Sequence, residues 1–576
     1  MPLIEVLLSK AKTFGKLFAQ TNRAVDLEAS LATYQLAFRL ADQISRSYDL
    51  DEAKLFFVNK VSPAYEEAIA TAHHLFLLTK QRSYLEASFA LAEQSKSAVL
   101  TESLRELQIR QVPGIDQSLL QRENELKRNL AALHIRLAQA DSTKRATIQH
   151  LVRDTEMERE KVLKQLEKHE HYYKLKYDTE LVEVSQIQKM LDRETALIEY
   201  FVGENNVYAY VITQDSFEAR QVGLTSTLLK NWREIYTALY QAEPLFQYKG
   251  NQAAHHLYQQ LLLPLAASIA GKRRLVIIQD KELCYLPFEV LVSDPATELY
   301  LLQDYIVSYA YSAKLLRPAA ENSAKARGIS VLAMAPFVGP SGEDRSAGMP
   351  DSLLPLPASG QEVAEVGGQV YTGQEATKER MSQAASSYDI IHLATNAKAD
   401  NQDALQSFIS FFPQGNSFGD YRLYVEEIYN LNFEKLKLVV LSACETGSGK
   451  IINGEGIMSL ARAFAYAGCP STVTTLWKAA DNSTAAIATG FHQYLKAGMP
   501  KDEALRQAKI DYIENQENWR LRSPAYWANF ISIGDQSPVY SDSSSFWQVI
   551  VAMMLISILG IGIWAAFRKG LVKEQR

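Results

Sequence analysis

The sequence predicts a three-layer α/β domain with a mainly parallel sheet, preceded by all-α helical repeats and followed by one apolar helix. Three observations predict it. Residues 1–112 place alanine, leucine and tyrosine at spacings of three and four and hold almost no glycine or proline, the period of helices packed along one face. From Ala196 the pattern changes to short apolar runs separated by helical stretches, and strands alternating with helices build parallel sheets. From Phe546 to Phe567 only Gln548 and Ser557 are clearly polar.

Within residues 1–112, Tyr34-x-x-Ala37, Tyr65-x-x-Ala68 and Tyr84-x-x-Ala87 repeat one small pattern. The step between the first two approaches the ~34-residue period of tetratricopeptide helical hairpins, whose small and aromatic positions let paired helices nest. The first helix opens without a cap, so this stretch reads as the end of a longer array. Pro113-Gly114 then breaks the helices. Residues 113–190 read as a long helical hairpin: Leu119, Leu126, Leu130, Leu133 and Leu137 mark one apolar face, Asp141-Ser142-Thr143 supplies a turn and cap, and Ile148, Val152, Leu163 and Leu166 mark the second helix. Its charges, Glu156 to Lys161 among them, form a solvated face.

Residues 196–534 form the α/β domain. Ala196–Phe201 and Val207–Ile212 predict a hairpin, and the runs 275–278, 329–333, 389–393 and 438–441 predict short strands buried on both faces. Gly456–Gly468 and Ser483–Leu495 read as helices between them. Residues 535–545 are a polar, serine-rich linker, 546–567 a transmembrane helix and 568–576 a basic tail. At 1.5 Å per residue the apolar run spans the roughly 30 Å hydrocarbon core of a bilayer. Trp547 and Trp564 stand near its ends as interfacial aromatics do, and Arg568, Lys569, Lys573 and Arg576 follow.

A chain of 576 residues exceeds one core. A formal net charge of -6 argues against a nucleic-acid-binding surface. The N-terminus shows no basic region, long apolar core or small-residue cleavage site, which predicts no secretory signal. The expected location is therefore a single-pass C-terminal membrane anchor with the bulk in the cytoplasm, although the basic tail pulls toward the cytoplasmic side and leaves the orientation open. Cys284, Cys444 and Cys469 are odd in number and widely spaced, against both a disulfide framework and a zinc site. No metal and no cofactor are expected. Gly447-Ser448-Gly449-Lys450 is not a phosphate loop, because the first glycine of that motif falls at Cys444 and the residue after the lysine is Ile451.

The chemistry points to two strand ends. Leu438 to Gly447 is an apolar run ending in Cys444 at a turn, and Tyr388 to Ala397 is an apolar run carrying His392 and Asn396. A thiol and an imidazole delivered by neighbouring strands make a cysteine nucleophile with its base, and in parallel sheets such groups gather beyond the carboxyl ends of the strands.

Residues 196–534 resemble a CHAT domain, the caspase-like domain found beside tetratricopeptide repeats. The resemblance is carried by Leu286-Pro287-Phe288-Glu289, Tyr305 to Ser312, Gly373 to Lys378, Leu441-Ser442-Ala443-Cys444-Glu445-Thr446-Gly447, Gly454 to Phe464, Thr475-Leu476-Trp477 with Asp481, and Tyr526 to Phe530. It implies a fold like caspases and separases and, in active members, an endopeptidase with a histidine–cysteine dyad. The family cysteine maps onto Cys444. The family histidine closes a His-x-Ala-Thr-His-Gly pattern whose last two positions map onto Asn396 and Ala397. The base is thus replaced by an amide, which hydrogen-bonds but takes no proton. His392 is the fallback base, yet residues 392 and 396 of one strand lie about 13 Å apart. The expected function is a membrane-anchored caspase-like pseudopeptidase that engages protein or peptide partners through its helical repeats and cleft. The alternative is an active cysteine endopeptidase using Cys444 with His392 or a remodelled cleft. Glu445, Glu455 and Asp481 stand near the site and cap helices or pair locally more often than they select a basic substrate. Cys284 and Cys469 read as packing residues.

Overall fold

The computed structural model describes residues 2–540 apart from 47–50, 111–115, 139–141, 171, 174–181, 242–247, 297, 317–327, 340–352, 401, 416, 432, 434, 444–445, 448, 453–454 and 479. Helices α1 (Pro2–Thr21), α2 (Ala24–Arg46), α3 (Asp51–Thr79), α4 (Arg82–Gln94) and α5 (Ala98–Arg110) come first. In the repeated tyrosine–alanine signature, Tyr34, Ala37, Tyr65 and Ala68 are buried. The Phe38 and Tyr65 rings stack at 3.9 Å, so the alanines let α2 and α3 close on an aromatic contact. The third copy departs from this. Tyr84 is half-buried and its hydroxyl donates to Glu28 Oε1 at 2.9 Å. Helices α6 (Gln117–Ala138) and α7 (Ser142–Leu166) follow and close a small core of Leu120, Leu126, Val162, Leu163 and Leu166.

Eleven strands form the main sheet: β1 (Thr195–Val202), β2 (Asn206–Thr213), β3 (Phe217–Leu224), β4 (Arg274–Ile278), β5 (Ile306–Ala310), β6 (Val331–Ala335), β7 (Gln369–Thr372), β8 (Ile390–Thr395), β9 (Leu438–Ala443), β10 (Ser471–Thr475) and β11 (Phe530–Gly534). Their order is β3-β2-β1-β4-β5-β11-β10-β9-β8-β6-β7. The β1/β2, β2/β3 and β10/β11 pairs are antiparallel and the other neighbours parallel. The mainly parallel sheet expected from the alternation is therefore present.

Side-chain parity divides the core into layers. Ile198, Tyr200, Ile390, Leu438 and Val440 face one layer, which holds helices Thr225–Tyr240, Asn251–Leu261, Ser359–Val366, Asp481–Lys496 and Lys501–Glu514. On the opposite face, Leu197, Phe201, Tyr208, Tyr210 and Ile278 pack against α1 to α4. Ile391, Leu393, Val439 and Leu441 pack against helices Lys378–Ala384 and Leu460–Tyr466. The N-terminal helices thus share a core with the sheet. Burying that shared apolar area at roughly 25 cal/mol per Å² ties the two regions together.

Several boundaries differ from the sequence reading. The first hairpin gains a third strand, β3, and β6 begins at Val331 instead of Ile329. The segment read as a helix from Gly456 begins as a strand: Gly456–Ser459 pairs with Gly449–Ile452. Gly456 adopts φ +74°, a left-handed turn that glycine makes without steric cost. The helix starts at Leu460, where Ser459 Oγ accepts from Arg462 N at 3.2 Å as a cap. Residues 535–540 of the expected linker are tied to the domain, since Lys501 Nζ donates to the carbonyls of Asp535 and Ser537 and Val539 is buried. Among the described residues no helix is long and apolar enough to cross a membrane. The expected span, 546–567, lies outside the described residues.

Candidate active site

Strands β8 and β9 lie side by side in parallel, with Ile390 opposite Leu438 and Thr395 opposite Ala443. Their carboxyl ends therefore release the chain at one edge of the sheet, just before Asn396 and Cys444. Cys444 lies outside the described residues, as does Glu445. The turn after them is described and tightly held. Thr475 Oγ1 donates to the Ala443 carbonyl, Thr446 Oγ1 meets Thr474 Oγ1 at 2.9 Å, and Gly447 N donates to Thr475 O at 2.7 Å. A Cβ at residue 447 would meet Leu476, Thr474 and the Thr475 carbonyl at 3.1 Å, so glycine is what lets this turn approach β10.

Asn396 is 7% exposed. Its Nδ2 donates to the Leu354 carbonyl at 2.7 Å, while its own carbonyl accepts from Ser410 N at 2.8 Å. Those bonds anchor a three-stranded sheet of Ala397–Lys398, Phe408–Ser410 and Arg422–Tyr424 over the end of β8.

His392 is fully buried in mid-strand. Its parity puts it on the face of Ile390 and Ala394, under helices Ser359–Val366 and Asp481–Lys496. Nε2 donates to Glu362 Oε1 at 2.9 Å, and Nδ1 shares a hydrogen with His492 Nε2 at 3.1 Å. Both ring nitrogens are therefore occupied, whichever histidine holds the shared hydrogen. His492 Nδ1 is buried with no partner. Burial first, and then His392 and Lys496, hold the His492 imidazole well below the usual histidine range. A cleft of about 440 Å³ has Glu362 in its wall, with Gln361, Gln493 and Asp511. It opens on the helix layer, and none of the described residues among 395–398 and 442–447 lines it.

The other residues singled out by sequence take local roles. Glu455 and Arg462 form a buried pair, and Asp481 Oδ2 accepts from Ala358 N at 2.7 Å. Cys284 Sγ lies 3.7 Å from the place a Cβ on Gly456 would occupy, and burial pushes its thiol up to about 12. Cys469 is buried and donates to Ser471 O at 3.1 Å. No His, Cys, Asp and Glu cluster fit for a metal occurs among the described residues. Sequence reasoning missed Glu362 as a partner of His392 and the threonines beneath the turn. For the threonines a signal existed, since a Thr-Val-Thr-Thr strand places hydroxyls where only buried partners satisfy them.

Residues 251–535 match the family model of the CHAT domain. Tetratricopeptide repeat protein 28 of Mus musculus is 23% identical over 348 residues, and that of Homo sapiens 22% over 349. Each match covers 52% of this chain and 14% of the relative, so the chain spans a small part of the curated relatives it matches. Among solved structures, two crystal structures of the Saccharomyces cerevisiae separase–securin complex are similar, both at a TM-score of 0.43. One is 9% identical, covering 92% of this chain and 40% of that chain; the other is 10% identical, covering 88% and 37%.

Proposed function

We propose that this chain is a caspase-like pseudopeptidase, a CHAT module that holds protein or peptide partners at the cleft around Cys444 without cutting them. The stretch 546–567 anchors it in a membrane with the bulk on the cytoplasmic side, and the helical region recruits partners to it. The observation that carries this reading is the occupation of both nitrogens of His392 by Glu362 and His492, together with an amide at position 396.

A thiol without a base is only a few per cent ionised at neutral pH. By analogy with other catalytic units, removing one member costs on the order of 10³-fold in rate. Asn396 cannot relieve the thiol of its proton or later deliver one to a leaving amine.

The test is cleavage of a peptide library by the wild type and by Asn396→His. The wild type is expected to show no Cys444-dependent cleavage, and the histidine variant to gain on the order of 10²-fold or more over it. Wild-type cleavage that is lost in both Cys444→Ala and His392→Ala would make the protein a working cysteine endopeptidase.

A further inference from the structure

Helix α5 begins in the N-terminal helical region but draws its cap from the CHAT domain. The first amides of any helix lack intrahelical partners, and the residue before the helix normally supplies an oxygen to one of them. Here that residue is Ser97, in a left-handed backbone at φ +48°, and its hydroxyl is spent on the Tyr311 carbonyl at 3.2 Å. The Val99 amide is met instead by Glu455 Oε1 at 2.9 Å, from 356 residues away in sequence. A carboxylate at a helix N-terminus is favoured by the exposed N–H groups and the helix dipole.

The same carboxylate faces the other way as well. Glu455 Oε2 pairs with Arg462, whose Nη1 donates to the Glu455 carbonyl at 2.7 Å; both residues are 2% exposed. Next to Arg462, Ala461 N donates to the Thr446 carbonyl at 3.1 Å. Thr446 belongs to the turn that follows Ala443. An unbroken series of short bonds therefore runs from the start of α5, through Glu455 and Arg462, to the turn beyond β9.

We infer that Glu455 is a positioning residue through which the start of α5 holds Thr446 and Gly447, just past Cys444 in the sequence, so that displacing the helical region alters them. This rests on reading the turn as the working part of the cleft. The test reads backbone protection, which depends neither on cleavage nor on its absence.

The experiment is hydrogen exchange by mass spectrometry on the full chain, with iodoacetamide labelling of Cys444 as a second readout. Val99→Pro deletes the donated amide within the first turn of α5, where proline is best tolerated in a helix. Exchange in peptides spanning 455–466 is expected to rise about tenfold and Cys444 labelling to change about fivefold, with β1 to β3 unaffected. Faster exchange confined to 95–104, with 455–466 as in the wild type, would overturn the inference. Should Val99→Pro fail to fold, Glu455→Gln decides from the other end: it is expected to loosen residues 98–104, and unchanged protection there overturns the inference.

Discussion

Thr395 and Ala443 are register partners on adjacent parallel strands. Each is the last residue of its strand, so the two strands end level with one another, one residue before Asn396 and Cys444 in the sequence. The side chain supplied at 396 is an amide bonded to Leu354, and the nearby imidazole is turned into the helix layer.

The buried histidine pair predicts a specific acid sensitivity. The His492 imidazole is held well below its ordinary value, so the unfolded chain takes up this proton near pH ~6.5 while the folded chain does not. Its stabilising contribution is complete above ~6.5 and declines as pH falls, by up to about 1.4 kcal/mol per pH unit for one proton. Urea denaturation at pH 7.5 and 5.5 is expected to show a smaller stability loss in His492→Gln than in the wild type. An equal loss would place the acid-sensitive group elsewhere.

Between the helices and the sheet, Lys96 Nζ meets Glu199 Oε1 at 2.6 Å with both side chains buried. Removing one partner strands a buried charge. Lys96→Met is expected to cost about 3–5 kcal/mol, and the double variant Lys96→Met, Glu199→Leu to recover most of it. A double-mutant cycle from denaturation midpoints checks this, and additive losses would mean that the two groups are not coupled.

Gly447→Ala is expected to lower stability by about 1–3 kcal/mol, because the added methyl presses on the Thr475 carbonyl and two side chains at 3.1 Å. Thermal melts of this variant beside Gly271→Ala calibrate the effect. Gly271 has open space around its Cβ position but a φ of +73°, so its loss reports backbone strain alone. If Gly447→Ala melts with the wild type, the turn has slack that the close contacts deny.

The sheet was legible where strands are apolar on both faces, as in Leu438–Leu441 and Asp389–Leu393, because parallel strands buried on both sides read as continuous hydrophobic runs. It was not legible in β3, an edge strand with a polar Glu218-Ala219-Arg220-Gln221 stretch, or in β10, where hydroxyls replace aliphatic groups. At the site, the sequence reading put His392 on the strand ahead of Asn396, and the structure has His392 inside β8 with Asn396 one residue past its end. Its partners were invisible. Glu362 and His492 lie 30 and 100 residues away from it in sequence, and no local period links residues brought together only by helix packing on the sheet. The bond from Val99 to Glu455 was hidden for the same reason.

The most direct measurement is the pH dependence of Cys444 alkylation in the full chain, followed by mass spectrometry, for the wild type and His392→Ala. A thiol without a base is expected to give a midpoint near or above ~8.5 that the histidine substitution does not move. A wild-type midpoint below ~7 that rises in His392→Ala would contradict the account and return an imidazole to the thiol.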